Sequence, residues 1–100
     1  MHEATIDDLA SALERGERVI DVREPGEYAA GHVPGAENIP MGQLMSRTGE
    51  LDPAARVYVV CASGNRSSAM TDALRGAGFD AVNVVGGTAA WVRAGREVSA

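Results

Sequence analysis

Lysine is absent from this chain. All nine cationic side chains are arginines, which excludes a Schiff-base lysine, a Walker-type phosphate lysine and any chemistry that needs a tunable amine. Cysteine occurs once, at Cys61, so no internal disulfide can form. One thiol and two histidines far apart in sequence, His2 and His32, cannot assemble a structural zinc site, and no metal is expected. No apolar run approaches the roughly 18 residues that cross a bilayer. The start, Met1-His2-Glu3-Ala4-Thr5, lacks a basic segment followed by a greasy one. Neither export nor membrane association is expected, and the cytoplasm is the expected compartment. Positive charge is also short: nine arginines against fourteen carboxylates leave a net charge of −5. The arginines nowhere gather into a basic face with aromatic neighbours, so nucleic acid is not an expected partner.

What is present is the composition of an ordinary globular protein, 45% apolar and 23% charged, too rich in Val, Leu, Ile and Ala for a disordered chain. One hundred residues bury roughly 60 to 70% of their unfolded surface, enough for one core but not two, so residues 1–100 are expected to form a single domain. Ile6, Leu9, Ala10 and Leu13 fall at helical spacing, with Thr5 and Asp8 as a capping pair and Gly16 as the stop, which predicts a helix over about residues 6–15. Arg18 to Val22, closed by Glu24-Pro25-Gly26, reads as a buried strand with Asp21 and Arg23 at its C-terminal end. Glu27 to Ala30 makes one helical turn, Gly31 to Gly35 a loop, and Ala36 to Ile39 another short strand.

Met41, Leu44 and Met45 predict a brief helix, and Arg56 to Cys61 the clearest strand, β-branched and ending at the cysteine. A helix from Ser67 onward carries Ala69, Met70, Ala73, Leu74 and Ala77 on one face. Ala81 to Val85 is a further strand, Gly86-Gly87 a sharp turn, and Thr88 the cap of a last helix with Trp91. Short apolar strands alternating with helices predict an α/β fold, a mostly parallel sheet with helices on both faces. In such sheets ligands bind outside the carboxyl ends of the strands, so Asp21, Arg23 and Cys61 are expected to share one rim.

The stretch Cys61-Ala62-Ser63-Gly64-Asn65-Arg66-Ser67 sets a thiol at the end of a buried strand and follows it with small residues and a glycine before a helix. A loop of this kind can turn successive N–H groups inward as an anion cradle, and the helix adds the positive end of its dipole. The loop holds no carboxylate, and Arg66 lies five residues after the thiol. A thiol pKa below the roughly 8.5 of free cysteine is expected. An isolated cysteine is ordinarily an inert core residue; here its place at the mouth of a Gly-containing loop is where a nucleophile is exposed and activated.

Three stretches together resemble the rhodanese-like sulfurtransferase family. Val19-Ile20-Asp21-Val22-Arg23-Glu24 with Glu27-Tyr28, Gly31-His32-Val33-Pro34-Gly35-Ala36 and Asn38-Ile39-Pro40 resembles its first signature, Cys61 to Ser67 its active-site loop, and Gly86-Gly87 with Trp91 its last. The resemblance implies a five-stranded parallel sheet, with residues near Ala4 adding a short strand. It also implies a reaction: the Cys61 thiolate takes the outer sulfur of thiosulfate or a persulfide donor, holds it as a persulfide, and passes it to cyanide or a thiol. No cofactor, metal or general base is implied, because transfer between sulfurs needs a low-pKa thiol and a good leaving group. Residues Ala62 to Ser67 are then the anion-binding loop, and Asp21 and Arg23, with Arg23 pairing Glu24 or Glu27, support it. Phosphatases and arsenate reductases of the same fold have a loop one residue longer than the Cys61-to-Arg66 interval here. Many family members carry a basic residue directly after the cysteine, where this chain has Ala62, so weak thiosulfate binding and a persulfide donor are expected. A sulfur carrier that serves a partner protein with little small-molecule turnover is the alternative; a non-catalytic regulatory domain is disfavoured by the retained cysteine. His32, Gly86, Gly87 and Trp91 are expected to serve the fold.

Overall fold

The computed structural model describes residues 2–100. In chain order the elements are β1 (Glu3–Ala4), α1 (Ile6–Glu14), β2 (Arg18–Asp21), α2 (Pro25–Ala29), β3 (Glu37–Asn38), α3 (Met41–Leu44) continued by a 3-10 stretch (Met45–Glu50), β4 (Val57–Val60), α4 (Asn65–Gly76), β5 (Ala81–Val84) and α5 (Gly87–Arg93). The first helix starts where its cap requires: the Thr5 hydroxyl accepts the Asp8 N–H at 3.1 Å and the Asp8 carboxylate accepts the Thr5 N–H at 2.9 Å. At the far end the chain leaves α1 through Gly16 in the left-handed region.

The five strands form one sheet in the order β1-β5-β4-β2-β3, every neighbouring pair parallel. All residues of β4 and β5 are buried, as expected of strands covered on both faces. Alternate side chains divide the core. Tyr58 and Val60 pack with Leu9, Ala12 and Trp91 on the side of α1 and α5; Val57, Val59 and Cys61 pack with Leu44 and Leu74 on the side of α3 and α4. No helix among the described residues is long and apolar enough to cross a membrane.

After β2 the chain builds outward to β3, and after β4 it builds the other way to β5. The crevice of an open parallel sheet forms where that direction reverses, here between the carboxyl ends of β2 and β4, whose Asp21 and Val60 are in register.

Several boundaries differ from those read in the sequence. The β4 ladder covers Val57–Val60, one residue shorter at each end than the apolar run, so Cys61 lies just beyond the strand. Helix α4 begins at Asn65, two residues before Ser67, because Gly64 at φ 104° turns the chain directly into the helix. Thr88 is not a cap: Gly86, at φ 80°, holds that position and α5 starts at Gly87. The strand drawn over Ala36–Ile39 narrows to Glu37–Asn38. The turn drawn over Glu27–Ala30 starts earlier, with Pro25 in its first turn.

Candidate active site

Cys61 opens a loop of four residues, Cys61 to Gly64, that ends in the first turn of α4. Its Sγ accepts hydrogen bonds from the Gly64 N–H at 3.1 Å, the Ser67 N–H at 3.4 Å and the Ser67 hydroxyl at 3.3 Å. Ser67 is the third residue of α4, so its N–H is one of the donors that a helix start leaves without an internal partner, and here it meets sulfur. The thiol is not exposed as the sequence led one to expect: Cys61 is 1% accessible. It is buried, yet the amides that follow it face it.

The docking of α5 fixes the start of this loop. The Thr88 and Ala89 N–H groups, donors of the first turn of α5, bind the Cys61 carbonyl at 2.8 Å and the Ala62 carbonyl at 2.9 Å, and the Thr88 hydroxyl adds a bond to the Cys61 carbonyl at 3.1 Å. A trans peptide points its N–H opposite its C=O. Fixing the Ala62 carbonyl toward α5 therefore turns the Ser63 N–H, on the other side of that peptide, toward the sulfur, where it joins the Gly64 and Ser67 donors. Two helix N-termini thus meet at one loop, α5 holding its carbonyls and α4 supplying donors to its thiol.

Burial pushes the Cys61 thiol up, but hydrogen bonds from the Ser67 hydroxyl and amide and from the Gly64 and Ser63 amides outweigh it, and the pKa falls below its ordinary value. The Ser67 hydroxyl also lies 2.6 Å from Asn83 Oδ1. One hydroxyl has one proton. Turning the Asn83 amide so that its NH2 donates to Ser67 Oγ frees that proton for an anionic sulfur. Asn83, buried in β5, is the one polar side chain of the Ala-Val-Asn-Val run; a polar residue in an all-buried strand is the signal that could have singled it out.

Asp21 and Arg23 stand on the same rim, as expected, but Arg23 pairs with Asp21 rather than with Glu24 or Glu27. The fully buried Asp21 carboxylate accepts the Arg23 backbone N–H at 3.0 Å, its Nε at 3.0 Å and its Nη2 at 2.9 Å, and Nη2 also reaches the Gly31 carbonyl at 2.8 Å. The pair wins because both groups lie in a site closed to water, where an unpartnered charge costs most. Asn38 Nδ2 donates to the Asp21 and Arg23 carbonyls at 3.0 and 2.9 Å, and Val22 donates to Val60. The end of β2 is thereby tied to β3 and to the strand that carries the cysteine. Asp21→Ala leaves the Arg23 cation buried without a counter-charge, and a urea titration is expected to show a loss of about 3–5 kcal/mol; a loss below about 1 kcal/mol would mean that the pair does not brace this end of the sheet.

Glu27 belongs to Arg66 instead. The guanidinium forms a two-pronged pair with it across the crevice, at 2.7 and 2.9 Å, and the hydrogen bonds from Arg66 and from the Glu24 amide hold Glu27 down to about 2. Arg66 stays close enough to the sulfur for the two charges to interact, but its charge is shared with Glu27. The small donors of the cradle carry the local field. His32 serves the fold: its ring stacks on Tyr28 at 3.6 Å, and its Nδ1 lies 2.8 Å from the Tyr28 carbonyl.

The Rhodanese-like domain model matches residues 5–94. The chain belongs to that family. Among solved rhodanese-like structures, the crystal structure of a rhodanese-related protein from Thermoplasma volcanium superposes with a TM-score of 0.91 at 32% identity, covering 99% of this chain and 98% of that one. Thiosulfate sulfurtransferase 16, chloroplastic, from Arabidopsis thaliana is 36% identical over 96 residues, 80% of this chain and 78% of that protein. The "Putative sulfur carrier protein YrkF" of Bacillus subtilis is 39% identical over 74 residues, 73% of this chain. The chain spans 40% of the length of YrkF and 62% of that of a second Bacillus subtilis relative. These relatives place this rhodanese-like domain in a sulfur-transfer family.

Proposed function

We propose that this rhodanese-like domain moves a sulfane sulfur through a persulfide on Cys61. The observation that carries the reading is the set of donors converging on Cys61 Sγ from Gly64 and Ser67. In the first half-reaction the thiolate attacks the outer sulfur of thiosulfate; the S–S bond breaks, sulfite leaves with the electron pair, and Cys61 carries –S–S⁻. In the second half-reaction cyanide or a thiolate attacks that outer sulfur and regenerates the Cys61 thiolate. Thiolate and persulfide are both monoanions, so one ring of N–H donors serves both states without rearrangement. No proton moves in either step, which suits a site built from amides and a hydroxyl. Residues Ala62 to Ser67 form the anion cradle, and Asp21 and Arg23 hold the strand end beside it.

The donor follows from charge. Ala62 occupies the place next to the thiol where a cation would attract a dianion, Arg66 is shared with Glu27, and the whole chain carries −5. A persulfide on a small thiol or on a protein is therefore a better donor than thiosulfate. The name of YrkF and the burial of Cys61 favour a second reading, a carrier that takes sulfur from one protein and delivers it to another. Intact-mass measurement after donor treatment, followed by cyanide, tests both. Gain of one sulfur atom and rapid thiocyanate release is expected of the enzyme, and the same gain with slow release of the carrier. No gain from thiosulfate or from glutathione persulfide would defeat the reading.

A further inference from the structure

The Ser67 hydroxyl is fully buried and has two acceptors for its one proton, Cys61 Sγ at 3.3 Å and Asn83 Oδ1 at 2.6 Å. While the proton lies on the shorter bond, Ser67 turns a lone pair toward the sulfur, which suits a neutral thiol and repels an anion. The other end of the Asn83 amide is unengaged. Its NH2 group has no acceptor among the described residues, yet it is not sealed in: Thr71 Oγ1 is the one fully buried side-chain N or O atom there without a partner. Asn83 instead lines a cavity of about 210 Å³ that it shares with Glu3, Ser63, Asn65 and Ser68, polar and roomy enough for water. An amide turned end for end therefore gives its NH2 group Ser67 Oγ as an acceptor and leaves its oxygen facing water.

We infer that Asn83 is a positioning residue that turns with the charge on Cys61. Its oxygen holds the Ser67 proton while the sulfur is a neutral thiol; its NH2 group takes Ser67 Oγ, and the proton swings to the sulfur, once the sulfur is a thiolate or a persulfide. The inference deepens the sulfur-transfer reading and rests on it for the persulfide state alone. The hydroxyl proton stays on Oγ throughout, so no covalent bond is made or broken. A hydrogen bond to an anion is stronger than one to an amide oxygen, and a chain from NH2 through the hydroxyl to the anionic sulfur strengthens both of its links. The turn therefore favours the ionised state. The charged groups around the sulfur are paired with one another, Arg66 with Glu27 of α2 and Arg23 with Asp21 at the end of β2. Glu27, held down to about 2, keeps its charge across the range in which a thiol titrates. On the cavity side the charged side chain is Glu3.

The test uses the whole chain. In isotope-labelled protein, NOE contacts from the Asn83 NH2 group to the Ser67 β-protons are expected above the pH at which Cys61 ionises and in protein loaded with one sulfur, and should weaken below that pH. In Cys61→Ser, which carries no charge at this place, they should stay weak at every pH. Contacts in the wild type that do not change with ionisation overturn the inference. The second arm is a double-mutant cycle read from the thiolate absorbance. Asn83→Ala is expected to lower the ionisation constant of Cys61 about threefold, the scale of one neutral hydrogen bond, and to leave it unchanged where Ser67 is already replaced by Ala. An equal effect in both backgrounds would make Asn83 a packing residue and overturn its action through Ser67. Should Asn83→Ala not fold, the wild-type NOE arm still decides. Thiol ionisation needs no turnover: if no donor loads the chain while the amide turns with pH, the sulfur-transfer reading fails and the switch stands.

Discussion

Cys61→Ser is expected to remove sulfur transfer, at least about 10⁴-fold in kcat/KM, while the protein stays folded. Serine is slightly smaller than cysteine, and its oxygen can accept the N–H bonds of Gly64 and Ser67 that now end on sulfur. The cradle therefore keeps an acceptor, and stability should change by no more than about 1 kcal/mol. The hydroxyl cannot replace the thiol in the reaction: at neutral pH it is not ionised, and it forms no bond to sulfur that an acceptor could then open. Stopped assays with donor and cyanide, beside a thermal melt, check both halves. Residual transfer above the uncatalysed rate would place the chemistry elsewhere, and a collapsed fold would make the cysteine a structural residue first.

Gly87→Ala is expected to be nearly as damaging, through the backbone alone. Gly87 sits at φ 56°, and a Cβ built on it would lie 2.3 Å from the Cys61 carbonyl oxygen and 2.9 Å from the Ala62 carbonyl. No rotamer relieves a clash between a Cβ and a peptide group, so α5 must move away from the loop. Strain at a positive φ costs about 1–3 kcal/mol and overpacking a comparable amount, which sets a loss of about 3 kcal/mol in a urea titration. The Cys61 and Ala62 carbonyls then lose Thr88 and Ala89 as donors, the Ser63 amide behind the Ala62 carbonyl is free to turn away from the sulfur and the loop that leads to the Gly64 donor loses its anchor, and transfer should fall about 10²–10³-fold in the protein that remains folded. Gly76→Ala is the control: it lies near the end of α4 with nothing within 4 Å of the added methyl and no positive φ, and should stabilise by about 0.5–1 kcal/mol. Equal behaviour of the two variants would show that the approach of α5 to the loop is not what orders it.

This contrast marks what the sequence could and could not disclose. Strand and helix positions were legible because they follow from local periodicity and from caps such as Thr5 and Asp8, whose partners are three residues apart. The parallel sheet and the shared rim of Asp21, Arg23 and Cys61 followed from the alternation of elements. The Gly86-Gly87 pair was legible as a tight turn or a close approach; that Gly87 approaches the first two carbonyls of the thiol loop, those of Cys61 and Ala62, is a contact between residues far apart in sequence. Arg66 could be placed near the sulfur by counting, but its choice of Glu27, 39 positions away, depends on how α2 lies over the crevice. Arg23 was read as the partner of a glutamate because neighbouring charges compete on paper at equal cost, whereas burial favours the carboxylate that is itself closed off from water. Asn83 went unread for a related reason: strand periodicity assigns a face, not the hydroxyl of Ser67 that meets it there.

The account depends on an anionic sulfur held by peptide and hydroxyl donors inside the protein. Titrating Cys61 through the ultraviolet absorbance of its thiolate, in wild type and in Ser67→Ala, tests this most directly. The wild-type thiol should ionise below the ordinary cysteine range, so that reactivity toward a donor persists as the pH is lowered past the point where a free thiol loses it; Ser67→Ala, deprived of the hydroxyl, should ionise at higher pH and react about tenfold more slowly at neutral pH. A wild-type thiol that titrates at or above the ordinary range, unmoved by the loss of Ser67, would contradict the account.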